Sequence, residues 1–95
     1  MIQLSLPPES LIDNMRLTRQ EKEDKTELYY AIIGSIRTQV NINKTSGYQI
    51  AKALDIFRND TIFLEKVLLH IGYDYKYTKN VIRLIKQYAK ETTLN

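Results

Sequence analysis

From Leu28 to Val40 apolar residues return at helical spacing: Leu28, Tyr29, Ile32, Ile33, Ile36 and Val40. Ahead of them stands Thr18-Arg19-Gln20-Glu21, the Thr-x-x-Glu form of a capping box, in which each side chain satisfies an orphan amide at a helix start. Together these predict one helix from Thr18 to about Val40. Its first half, EKEDKTE, is charged all round and solvated; its second half carries the apolar strip. In a chain of 95 residues, such a strip has to be covered by other helices or a sheet. Gly34 within that stretch costs about 1 kcal/mol relative to alanine, and a close helix crossing is one explanation for it.

The remaining signals predict mostly helix. Met1 to Leu6 alternates apolar and polar residues and reads as extended. Pro7 and Pro8 end it and open a short helix from about Pro8 to Leu17, with Leu11, Ile12 and Met15 inward. Asn41 to Gly47 has turn-forming composition and reads as a loop. A short helix spans Tyr48 to Leu54, and Asn59-Asp60-Thr61 forms a cap cluster for another that runs to about Ile71. Gly72 is placed to end it in a left-handed conformation. Tyr73, Tyr75 and Tyr77 alternate with polar residues at the period of a strand, which can pair with Ile2–Leu6 as a small ribbon. Thr78 is positioned to cap a last helix from Lys79 to about Glu91, with Val81, Ile82, Leu84, Ile85, Tyr88 and Ala89 inward. The expected fold is all-α: one domain over residues 1–95, four to five helices around one core, with scope for a short two-stranded β ribbon.

Composition narrows the chemistry. There is no cysteine, which excludes disulfides, thiolate nucleophiles and sulfur-ligated zinc. His70 is the single histidine, flanked by Leu68, Leu69 and Ile71, a setting that suits packing better than general-base work. The three glycines stand far apart, so no phosphate loop is present. Glu21, Glu23, Asp24 and Glu27 have enough oxygen for a divalent metal, but interleaved charges on an exposed helix read as a solvated face. The expectation is a binding protein, not an enzyme, with no cofactor and no metal. No apolar run approaches the ~20 residues that span a bilayer. The start of the sequence lacks a basic stretch leading into an apolar run, so a cytoplasmic location is expected.

Positive charge is uneven. Residues 1–65 hold eight Lys/Arg against nine Asp/Glu, and residues 66–95 hold six against two. The last third therefore carries a balance of +4, a pointer to a polyanionic partner. Within the last helix Lys79, Arg83, Lys86 and Lys90 recur at i, i+4, i+7 and i+11, which places four cations on one face; Lys76 lies just before them. Such a stripe can lie along a phosphate backbone, rest on an anionic membrane surface, or be the solvated side of an ordinary amphipathic helix.

The stretch from Gly47 to Leu68, GYQIAKALDIFRNDTIFLEKVL, resembles a helix-turn-helix DNA-binding motif through Ile50, Ala51, Leu54, Ile56 and Leu64. In that motif a small residue lets the second helix approach and apolar anchors fix its angle. Asp55 stands where glycine is usual, Thr61 where an anchor is, and Ile62 and Phe63 where base-reading polar side chains are. The same spacing also suits two core helices joined by a short turn. The resemblance implies that Arg58, Asn59 and Lys66 face the major groove of double-stranded DNA. It implies too that the protein acts as a homodimer, for which the apolar strip of the long helix is the candidate surface. The rival reading is a protein-interaction module docking on a larger protein, with Ile62, Phe63, Tyr73 and Tyr75 as exposed anchors.

Overall fold

A computed structural model of the chain describes residues 2–39 and 46–93, so Val40 and most of the expected Asn41–Gly47 loop lie outside the described residues. The order is α1 (Glu9–Ile12), α2 (Arg19–Gln39), α3 (Gly47–Leu54), a 3-10 helix (Asp55–Asp60), α4 (Thr61–Ile71) and α5 (Tyr75–Thr93). The architecture is an all-α bundle; no strand occurs among the described residues.

The caps decide where most of these helices begin and end. The Thr18–Glu21 box forms as expected: the Glu21 amide donates to Thr18 Oγ1 at 3.2 Å, and the Thr18 amide donates to Glu21 Oε1 at 3.1 Å. Those bonds from Thr18 hold the Glu21 carboxyl below the usual carboxylate range. A second box, Ser46 with Gln49, opens α3. Gly72 adopts φ 117°, with its amide on Leu69 O and the Tyr73 amide on Leu68 O, the two bonds of a Schellman end.

One core holds the bundle together. From α2 it takes Tyr29, Ile32, Ile33 and Ile36; from α3 Ile50, Ala51 and Leu54; from α5 Val81, Ile82 and Ile85. To this α4, packed on α5, adds Phe63, Leu64, Val67, Leu68 and Ile71. Burying each such side chain is worth roughly 1.5–3 kcal/mol relative to leaving it exposed. The close helix approach occurs at Gly47, not Gly34. A Cβ on Gly47 would meet Asn80 Nδ2 of α5 at 3.1 Å, whereas one on Gly34 would meet nothing within 4 Å.

Four expectations are corrected. The first helix is a single turn, Glu9–Ile12, although Ile12 is buried and Leu11 and Met15 pack beside it. The Tyr73–Tyr77 strand does not form. Asp74 accepts from the Tyr77 amide at 2.7 Å and starts α5 at Tyr75, so Thr78 sits inside the helix, fully buried, and is no cap. The ribbon with Ile2–Leu6 is absent for the same reason. That N-terminal segment is instead a strap, tied by Gln3 N–H to Ile71 O (2.7 Å), Arg37 Nη2 to Leu4 O (3.0 Å) and the Tyr29 hydroxyl to Leu6 O (2.9 Å). Finally, the apolar strip of α2 is consumed inside the bundle, where Tyr29, Ile32, Ile33 and Ile36 are at most 4% exposed. It cannot serve as the surface for a second copy.

Candidate nucleic-acid interface

Helix α5 places its cations by simple geometry. With Val81 and Ile85 fixed against the core, the positions three and four residues apart from Lys76 to Lys90 fall on the opposite side. Lys76, Lys79, Arg83, Lys86 and Lys90 are all exposed, as are Asn80 and Gln87 among them. Fourteen residues of helix separate the first cation from the last, a ridge of about 21 Å. Acidic groups touch this ridge at three points. Glu65 of α4 pairs with Lys79 at 2.6 Å, Asp74 is engaged at the helix start, and Glu91 accepts from Gln87 Nε2 at 3.5 Å. The Glu65 carboxylate raises the Lys79 pKa, so that ammonium stays charged. Among the described residues Lys76, Lys86 and Lys90 make no ion pair, and Arg83 Nη2 donates to Asn80 Oδ1 at 2.7 Å.

Two clefts flank the ridge. One, of about 560 Å³, is walled by Asp74, Lys76, Tyr77, Lys79, Asn80 and Arg83. The other, of about 450 Å³, lies toward α4, with Glu65 on one side and Ile82, Arg83, Lys86 and Lys90 on the other. Near the start of α5, Tyr73 and Tyr77 stack with centroids 5.0 Å apart and rings 10° from parallel. Burial raises the pKa of both, with Tyr77 pushed up to about 12 by burial first and then by Tyr73 and Asp74. Tyr75 is turned outward and is 66% exposed.

The structure brings together only part of the predicted set. Lys76, Lys79, Arg83, Lys86 and Lys90 form one surface. Arg58 is drawn back to Asp55 at 3.9 Å on the 3-10 helix, while Asn59 beside it is exposed. Asn59 is not the cap of α4 either: Asp60 Oδ1 takes the Phe63 amide at 3.1 Å. Lys66, with Ser10, Asn14 and His70, lines a cleft distinct from the two that flank the α5 stripe.

The helix-turn-helix geometry is also not reproduced. Asp55, in the glycine position, has ordinary right-handed helical angles (φ −57°, ψ −30°), and a six-residue 3-10 helix replaces the tight turn. The expected anchor Ile56 is 73% exposed. The would-be reading helix, α4, is the most buried element, and its outward positions are Ile62, Lys66 and Leu69. Of the rival's anchors, Phe63 is 1% exposed and belongs to the core, Tyr73 is half-buried under Tyr77, and Ile62 and Tyr75 are exposed. Phe63 could have been placed from the sequence, because 63, 64, 67, 68 and 71 share one helical phase that excludes 62 and 69. The pairing of Glu65 with Lys79 could not, since it depends on how α4 and α5 meet.

His70 Nε2 lies 2.7 Å from Ser10 Oγ, and that hydroxyl donates its one proton to Pro7 O at 2.7 Å. The Ser10–His70 contact thus fastens α1 to α4. The acidic residues of early α2 have local partners: Glu21 in the cap, Glu23 with Arg19 at 3.7 Å, Asp24 with Gln20 at 3.0 Å. No group of three or more metal-ligating side chains occurs among the described residues, and none of their helices is long and apolar enough to cross a membrane. Comparison with known protein families, with curated proteins and with solved structures finds no match.

Proposed function

We propose that this chain is a small non-catalytic nucleic-acid-binding domain that grips the phosphate backbone with the outward ridge of α5. The observation that carries the reading is the exposed run Lys76, Lys79, Arg83, Lys86 and Lys90 on one helix, of which, among the described residues, only Lys79 is ion-paired with an acidic neighbour. Phosphate contacts position a protein and supply affinity without reading sequence, and a helix ridge can make them without entering a groove. Four to five such contacts suit the micromolar, salt-sensitive affinity of non-specific binding. In this mechanism α4 is the scaffold against which α5 is held, and a DNA-regulating role through base readout would need contacts supplied by a further element or copy.

The test is Arg83→Glu with Lys86→Glu, measured by fluorescence anisotropy on a labelled 20-base-pair duplex at low salt. Both side chains are exposed, so the fold should be unchanged by circular dichroism. Loss of binding supports the ridge as the contact surface, and unchanged binding refutes it.

A second reading, docking on a larger protein, is favoured by one observation. Ile62 is 72% and Leu69 38% exposed on the same side of α4 as Lys66. Under that reading Ile62→Ser with Leu69→Ser removes partner capture and leaves nucleic-acid binding untouched.

A further inference from the structure

We infer that the α5 face takes single-stranded rather than duplex nucleic acid, with the Tyr75 ring as the platform for an unpaired base. The inference rests on the phosphate-contact reading above and adds the class of strand. Of the three tyrosines at the start of α5, two are turned in and stacked on each other, and the third is held out. Tyr75 keeps 66% of its surface exposed while Lys79 Nζ stands 5.2 Å from its ring centroid. Glu65 pairs with the same ammonium at 2.6 Å, which sets the cation against the ring.

That ring lies at one end of the basic ridge. Lys79, which stands over the ring, lines both flanking clefts, as does Arg83 further along the ridge. A strand whose phosphates follow Arg83, Lys86 and Lys90 toward the start of α5 brings a base to the level of Tyr75. In a duplex the base faces are stacked on one another and closed to such a ring, so only the phosphate contacts remain. Every base has a π-face, and the recognition should therefore tolerate any sequence. Exposed aromatic rings interleaved with a cationic track are how sequence-independent single-strand binders combine stacking with charge.

The experiment compares a fluorescein-labelled 20-nucleotide oligothymidine with a labelled 20-base-pair mixed duplex at equal salt, using anisotropy. Wild type is expected to bind the single strand more tightly. Tyr75→Ala should weaken that binding by about five- to 150-fold, the range for one lost base–aromatic stack, and change duplex binding less than about twofold. Tyr75→Phe keeps the ring and should retain the preference. Duplex affinity equal to or above that of the single strand overturns the inference, as does Tyr75→Ala with unchanged single-strand binding. If charge reversal at Arg83 and Lys86 abolishes both while Tyr75→Ala alters neither, the phosphate reading stands and this inference falls. If wild type binds neither probe, both fall.

Discussion

Asp60 joins three elements, and replacing it should cost more than any other exposed or half-exposed carboxylate. Its Oδ1 accepts the Phe63 amide at 3.1 Å and caps α4; its Oδ2 accepts from Lys25 Nζ of α2; and that ammonium stands 5.1 Å from the Phe63 ring centroid. Loss of an aspartate cap costs about 1 kcal/mol. The ion pair has side chains 27% and 32% exposed, between the surface and buried regimes. A surface pair contributes about 0–1 kcal/mol and breaking a buried one costs about 3–5, so about 1–2 is expected here. Asp60→Ala should therefore lower stability by roughly 2–3 kcal/mol, or about 8–24 °C in Tm for a domain this size. Asp60→Asn keeps a good cap and breaks the pair, so it should lose only the 1–2 kcal/mol of the pair, as should Lys25→Met. Urea unfolding followed by far-UV circular dichroism separates these values. An Asp60→Ala variant within about 0.5 kcal/mol of wild type would refute the reasoning, and so would Asp60→Asn as unstable as Asp60→Ala.

Other substitutions test the packing independently. Gly34→Ala should stabilise by about 1 kcal/mol, because the helix gains propensity and the new methyl meets nothing; a loss in thermal denaturation would show a hidden crossing. Thr78→Val should raise stability by about 1 kcal/mol, since the buried Thr78 hydroxyl has no hydrogen-bond partner among the described residues, and a lower urea midpoint would contradict this. Ile56→Ser should stay within about 0.5 kcal/mol of wild type while Phe63→Ala loses about 3–5; a reversed order in the same assay would restore Ile56 as a helix-turn-helix anchor.

Where a local signal had a single reading, the sequence showed the fold. Thr18 with Glu21, Asp60 and Gly72 mark helix ends through side chains or a conformation that serve little else, and the apolar phases of α2 and α5 match their buried faces. Three residues of alternating tyrosine were not enough to separate strand from helix. Tyr73 stands before α5 and Tyr77 in its first turn, and the two stack across the helix start, an arrangement the alternation does not reveal. The Ile50, Ala51 and Leu54 pattern was read correctly as inward and wrongly extended to Ile56, because the spacing cannot tell a tight turn from a 3-10 helix. The basic stripe of α5 was legible, since its period is intrinsic to one helix. The placing of Lys66 in a different cleft was not, because it depends on how α4 packs on α5.

The ridge is tested most directly by the salt dependence of binding to a labelled single strand or duplex across about 50–200 mM. Lys76, Arg83, Lys86 and Lys90, with Lys79 if it leaves Glu65, give four or five phosphate contacts. On duplex the expected slope of log affinity against log salt is about −3.6 to −4.5, a weakening of roughly 150- to 500-fold over that range. With the milder pair Arg83→Ala and Lys86→Ala, which removes two contacts without adding repulsion, the slope should fall by about 1.8 units. A slope near zero, or one unchanged by the double substitution, would contradict the account.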